Sequence, residues 1–131
     1  MGSDILNLNI LIAEDDEISS LLLGQMVSKI SKKTIFAKNG IDAVEESRKN
    51  PDLDLILMDI RMPGIDGLEA TKQIRKFNCN VPIIAQTAFV MAGEKALALE
   101  AGCNGFISKP IREEELHEMI LLNCGSKHQN K

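Results

Sequence analysis

Four places along the chain carry side chains that could do chemistry together: the acid run Glu14-Asp15-Asp16, a single Asp59, the hydroxyl of Thr87 and the amine of Lys109. Each alone has a plain reading. An acidic triplet ahead of a helix reads as a solvated loop with an N-cap, Thr87 as a strand or cap residue, and Lys109 as an exposed lysine. Asp59 is harder to dismiss. Leu55-Ile56-Leu57-Met58 runs straight into it and Met62-Pro63-Gly64 follows, which sets a carboxylate at the rim of a core. Carboxylates gathered at one point repel, at roughly 4 kcal/mol per pair at 4 Å for an effective dielectric near 20, so they must take up a proton or a cation. Mg2+ suits such a set, because it binds through few carboxylates, a carbonyl, waters and phosphate oxygens. With that charge neutralised, Asp59 can attack phosphorus, while Lys109 and Thr87 offer a positive charge and a donor to the phosphoryl oxygens. The joint pattern favours covalent capture of a phosphoryl group on a carboxylate.

The elements that must bring these groups together follow from apolar periodicity. Leu8 to Ala13 is an apolar run broken only by Asn9, hence a strand; Ile18, Leu21, Leu22, Met26 and Ile30 recur at three and four, which predicts one buried helix face. The unit repeats as Thr34 to Ala37, an Asn39-Gly40 turn and a helix with Ile41 and Val44, then as Leu53 to Met58, a Pro/Gly-rich loop and a helix with Leu68 and Ile74. Val81 to Ala85 and Phe106 to Ser108 read as strands four and five, joined by an alanine-rich helix over Met91 to Ala101 that Gly102 ends. A last helix from about Arg112 carries Leu116, Met119 and Ile120 and opens on Glu113, Glu114 and Glu115, near the positive end of its dipole. Five β-α units predict a parallel sheet with helices on both faces and a site off the carboxyl ends of its strands. The acids, the hydroxyl and the lysine all fall on that edge.

Composition narrows the function further. The chain has 131 residues, about one domain, with 44% hydrophobic and 26% charged residues, so it is globular rather than disordered. Fifteen basic against nineteen acidic residues give a net charge of −4, which argues against direct nucleic-acid or anionic-membrane binding. No apolar run approaches the roughly 20 residues of a membrane span and the start lacks a secretory stretch, so a soluble, cytoplasmic chain is expected. Cys79, Cys103 and Cys124 are odd in number and widely spaced, which fits idle thiols rather than a disulfide framework or a zinc site. His117, beside Leu116 on an amphipathic helix, reads as structural or solvated rather than as a phosphorelay histidine.

From about Asn7 to Leu122 the sequence resembles the receiver domain of two-component response regulators. The residues that carry the resemblance are Ile10-Leu11-Ile12-Ala13-Glu14-Asp15-Asp16, Leu57-Met58-Asp59-Ile60-Arg61-Met62-Pro63-Gly64-Ile65-Asp66-Gly67, Thr87-Ala88 and Phe106-Ile107-Ser108-Lys109-Pro110. The resemblance implies a flavodoxin-like (βα)5 α/β fold with strand order 2-1-3-4-5, a receiver over residues 7–122, and flexible termini at 1–6 and 123–131. It also implies that Asp59 is the phosphoacceptor, that Glu14, Asp15, Asp59 and the main-chain carbonyl of Arg61 hold Mg2+, and that Lys109 binds the phosphoryl group. The acid pair is set at Glu14-Asp15 because this leaves Asp16 to cap the helix. Thr87 and Phe106 match the family's switch pair, Arg61 and Phe89 fall where side chains control water access, and a cis Lys109-Pro110 bond is implied.

The implied function is signalling rather than enzymatic turnover. A sensor histidine kinase or histidine phosphotransfer domain donates the phosphoryl group, and a downstream protein, or a second copy in a phosphorylation-dependent homodimer, reads the α4-β5-α5 surface. The style of residues 98–111 is similar to receivers of hybrid sensor histidine kinases, which would place the chain in the cytoplasm or on the cytoplasmic face of a membrane-bound kinase. Three rival functions fit the residues less well. A haloacid dehalogenase-type phosphatase needs a second aspartate where Arg61 stands; a flavodoxin-like electron carrier needs aromatics, and this chain has no Trp or Tyr; a receiver-like module without phosphorylation leaves the intact Asp59, acid pair, Thr87 and Lys109 without a use.

Overall fold

Strands that read as continuous apolar runs need cover on both faces, which a parallel sheet between two helix layers provides. The computed structural model, which describes residues 6–88 and 93–124, is built this way. Its elements are β1 Leu8–Ala13, α1 Glu17–Val27, β2 Ser31–Ala37, α2 Gly40–Lys49, β3 Leu55–Asp59, α3 Gly67–Arg75, β4 Ile83–Thr87, α4 Glu94–Ala101, β5 Gly105–Ser108 and α5 Glu113–Cys124. All neighbouring strands are parallel and the order is β2-β1-β3-β4-β5, as expected. Alternation along β1 divides the core. Leu8, Ile10 and Ile12 meet Leu23 and Val27 of α1 and Leu116 and Ile120 of α5. Leu11 and Ala13 face the other layer, with Val44 of α2, Ile74 of α3 and Ala98 of α4.

Helix starts are set by short polar side chains. Asp16, Asn39 and Asp66 precede α1, α2 and α3, and each accepts the backbone N–H three residues on, at 2.9, 2.7 and 2.9 Å. Gly102 ends α4 with φ 117°, in the left-handed region that glycine enters freely.

Several sequence expectations change: β2 and β5 begin earlier than read, at Ser31 and Gly105, and β3 runs from Leu55 to Asp59 rather than from Leu53 to Met58. The buried face of α1 is Leu23 and Val27, with Met26 and Ile30 partly covered, whereas Ile18, Leu21 and Leu22 are 70, 61 and 50% exposed. The helix is apolar on most of its circumference, so periodicity alone fits more than one face; contact with β1 and α5 selects one and leaves the other in solvent. The fourth strand begins two residues later than the apolar run suggests and includes Thr87. Pro82 has no N–H to give a ladder, and the N–H of Val81 is taken by Asn78 Oδ1 at 3.0 Å, while Thr87 pairs with Ser108. The expected helix start at Met91 and the side chain of Phe89 lie outside the described residues.

Candidate functional site

Residues at the carboxyl ends of parallel strands share one crevice, and here the register sets four such ends side by side. Ala13 pairs with Met58, Asp59 with Gln86, and Thr87 with Ser108. Glu14 is therefore the first residue past β1, where its N–H donates to the Ala37 carbonyl at 3.0 Å. Glu14 and Asp59 are only 2 and 4% exposed, and Asp15 is exposed. One oxygen from each of the three lies within 4.8 Å of the others. Asp16 is not in this group; it is spent on the cap of α1.

Lys109 enters from the turn after β5. Its Nζ donates to Glu14 Oε1 at 2.9 Å and to Asp59 Oδ2 at 3.2 Å, and the Lys109-Pro110 peptide bond is cis, as expected. Burial pushes the carboxyl of Glu14 above its ordinary range, against the opposing hydrogen bonds from Lys109 and from the Asp16 N–H at 3.1 Å. Burial also pushes the Lys109 ammonium down, but the bonds and negative charges of Glu14 and Asp59 outweigh it and hold the group above its ordinary value. The lysine is thus a charged counter-ion between two buried carboxylates. Arg61 donates its backbone N–H to Asp59 Oδ1 at 3.2 Å, which orients that carboxylate from its other side. Its guanidinium reaches Glu94 Oε2 at 3.7 Å, across to the start of α4.

Thr87 is fully buried at the end of β4, and its carbonyl accepts the Lys109 N–H at 2.7 Å. Phe106 is half-buried on β5 opposite Ala85 and packs on the α2-α3-α4 side of the core. His117 lies away from the strand ends, with its Nε2 2.7 Å from the Met26 carbonyl, a tie between α5 and α1. Cys103 and Cys124 are buried and Cys79 is exposed; burial pushes the Cys124 thiol up to about 11.

The donor set suits Mg2+. Oxygens at 2.0–2.1 Å around an octahedral ion stand about 3 Å apart when adjacent and about 4 Å when opposite, so three oxygens within 4.8 Å need only small rotations to serve.

Two further positions support the site. Gly67 opens α3 directly against the end of β3: a Cβ there would lie 2.1 Å from the Asp59 carbonyl oxygen and 2.9 Å from Ile60 Cα, both backbone atoms that cannot turn aside. Gly67→Ala is expected to cost about 1–3 kcal/mol, read as a lowered denaturant midpoint, and to displace Asp59. An unchanged midpoint would show that α3 shifts freely. Arg75, at the end of α3, donates from Nε and Nη2 to the Gly102 carbonyl at 3.0 and 2.8 Å and from Nη2 to Asn104 Oδ1 at 2.9 Å, which ties the end of α4 to α3.

Comparisons with known proteins bear on the family and the fold. The model of the family described as "Response regulator receiver domain" matches residues 10–121. The chain belongs to this family. The receiver is 36% identical over 114 residues to the polar-differentiation response regulator DivK of Brucella anthropi, covering 86% of this chain and 92% of DivK. It is 42% identical over 118 residues to hybrid signal transduction histidine kinase G of Dictyostelium discoideum, covering 86% of this chain but 3% of that kinase. The chain thus spans a small fraction of the hybrid kinases it matches.

Among solved structures, the receiver domain of Ssk1 from Saccharomyces cerevisiae, crystallised with the histidine phosphotransfer protein Ypd1, superposes with a TM-score of 0.86 at 32% identity, covering 95% of this chain and 93% of that one. The receiver domain of the sensor kinase PA1611 from Pseudomonas aeruginosa, which holds a magnesium ion in its active-site cleft, gives 0.81 at 31% identity, with 91 and 98% covered. Membership in the family removes the phosphatase and electron-carrier readings. This receiver is a signalling domain of the two-component type, and no described helix is long and apolar enough to cross a membrane.

Proposed function

We propose that this receiver accepts a phosphoryl group on Asp59 from a phosphohistidine of a sensor kinase or a histidine phosphotransfer protein. The carrying observation is the buried Asp59 carboxylate, held at the end of β3 with Glu14 and Asp15 around it and with Lys109 3.2 Å away. An Asp59 oxygen attacks phosphorus, the P–N bond to the donor imidazole breaks, and the released ring nitrogen keeps the electron pair. Lys109 already lies beside the attacking carboxylate, so its ammonium follows the charge onto the phosphoryl oxygens, and the Thr87 hydroxyl donates to one of them. Glu14, Asp15, Asp59 and the Arg61 carbonyl would hold Mg2+, which would supply the charge that lets an anionic nucleophile approach an anionic phosphoryl group. Ligand number and type, rather than a dedicated cage, favour this ion.

The donor protein docks on α1. Ile18, Leu21 and Leu22 form an exposed apolar strip on the helix that begins beside the acid cluster, and an unpartnered strip of this kind marks an interaction surface. Output runs through the α4-β5-α5 surface to a downstream protein or a second copy of the receiver. An aspartyl phosphate adds about one negative charge and several acceptor oxygens. Thr87 moves toward them, and Phe106 turns into the space it leaves; burying that ring contributes about 1 to 2 kcal/mol, enough to shift a two-state surface about tenfold.

Backbone NMR of residues 88–116 tests this reading. Beryllofluoride with Mg2+, a mimic of the phosphoryl group, is expected to shift these signals in the parent, much less in Phe106→Ala, and at the active-site end only in Thr87→Ala. Equal shifts in all three proteins would contradict the switch pair.

A further inference from the structure

A buried amide with nothing to bond gives up water without replacement, at a cost of about 1–3 kcal/mol. Gln86 is such a group. It is 1% exposed, and neither its Nε2 nor its Oε1 has a hydrogen-bond partner among the described residues. It lines an apolar cleft of about 390 Å3 between α1 and the Lys109-Pro110 turn, walled by Leu22, Leu23, Met26, Pro110 and Ile111. The phosphoryl chemistry at Asp59 makes no use of this amide, although Leu22 also belongs to the exposed strip of α1 and Lys109 to the acid site. The cleft is within the size range of small-molecule pockets, roughly 300–1,000 Å3, and has their character of apolar walls with few polar groups, here the Gln86 amide, the Ser19 hydroxyl and Lys109.

The chemistry of the occupant follows from what Gln86 offers, an N–H donor and a carbonyl acceptor side by side. Lys109, the one charged group on the cleft, is already bonded to Glu14 and Asp59, so an anion gains little there. A carboxylate would also set an acceptor against Oε1, and a hydrocarbon would leave both atoms unpaired. An amide with its N–H and C=O on one edge, as in a lactam or a primary carboxamide, satisfies both. We infer that this cleft binds a small neutral molecule with an apolar body and an amide edge paired to Gln86. Met26 is half-buried and unbranched, and its flexible thioether is the wall that yields to admit the ligand.

The test uses the full chain labelled with 15N and two probes, ε-caprolactam and its N-methyl derivative, which has the same ring and carbonyl but no donor. The lactam is expected to shift the Gln86 side-chain NH2 signals and the backbone amides of Leu22, Met26 and Ile111 saturably. It should bind about tenfold more tightly than the N-methyl compound, the difference one buried hydrogen bond makes. Gln86→Leu should bind both probes equally. Absence of saturable shifts would overturn the proposal, and so would equal affinities in the parent protein, which would mean that Gln86 is bonded to ordered water and the cleft is an ordinary apolar groove. Should Gln86→Leu fail to fold, the pair of probes on the parent still decides.

Discussion

Asp59→Asn is expected to leave a folded protein that acetyl phosphate no longer labels. Asn keeps the size and planar shape of the side chain, but its one oxygen can accept from only one of Lys109 and the Arg61 N–H, which now bond different oxygens of Asp59 at 3.2 Å each. It also removes one of three carboxylates whose oxygens lie within 4.8 Å, so repulsion in the metal-free site falls rather than rises. Relief of that repulsion offsets the lost bond, so thermal unfolding should stay close to the parent's temperature. Nucleophilicity is a different matter, because an amide oxygen does not form the covalent acyl phosphate that a carboxylate forms. Intact mass after incubation with acetyl phosphate and Mg2+ should rise by one phosphoryl group in the parent and not in the variant. A variant that gains the same mass would move the acceptor to another residue.

Removal of the divalent ion, or Asp15→Ala, is expected to reduce labelling by a factor on the order of 10²–10³, the several kcal/mol that metal-assisted charge neutralisation supplies. Asp15 is the informative ligand to change because it is the exposed member of the cluster, so its loss leaves no buried gap and no unpaired lysine. Glu14 would be a poorer choice: it is 2% exposed and bonded to Lys109 at 2.9 Å, and its substitution would disturb the lysine as well as the ion. The rate of mass gain with Mg2+, with a chelator and in Asp15→Ala checks the expectation. Undiminished rates without the ion would mean that Lys109 alone neutralises the site.

Much of this site is legible in the chain because its chemistry falls immediately after apolar runs. Leu57-Met58-Asp59 and Ile12-Ala13-Glu14 join a buried strand to an acid without an intervening loop, so the position of each carboxylate follows from where the strand must end. The split of the acid triplet was legible for a similar reason, since a helix start takes one short acid as its cap and Asp16 does this work. The α1 face was not. Six of its residues are apolar, and which of them are covered depends on β1 and α5, elements distant in sequence. Gly67 closes the motif that begins at Met58, but its close approach to the Asp59 carbonyl shows only in the fold, and the contact of Arg75 with the end of α4 joins segments whose approach no local pattern encodes. Nothing in the sequence marks Gln86, and only the packing around β4 leaves its amide without a partner among the described residues.

The central claim is that the phosphoryl group resides on Asp59, and borohydride trapping followed by peptide mapping tests it most directly. Hydride reduces an acyl phosphate to an alcohol, so a labelled aspartate becomes homoserine while unlabelled aspartates stay as they are. After brief exposure to acetyl phosphate and Mg2+, residue 59 should be converted in the parent, and no residue should be converted in Asp59→Asn. Homoserine at position 15 or 16, or a labelled protein with no converted aspartate, would contradict the account.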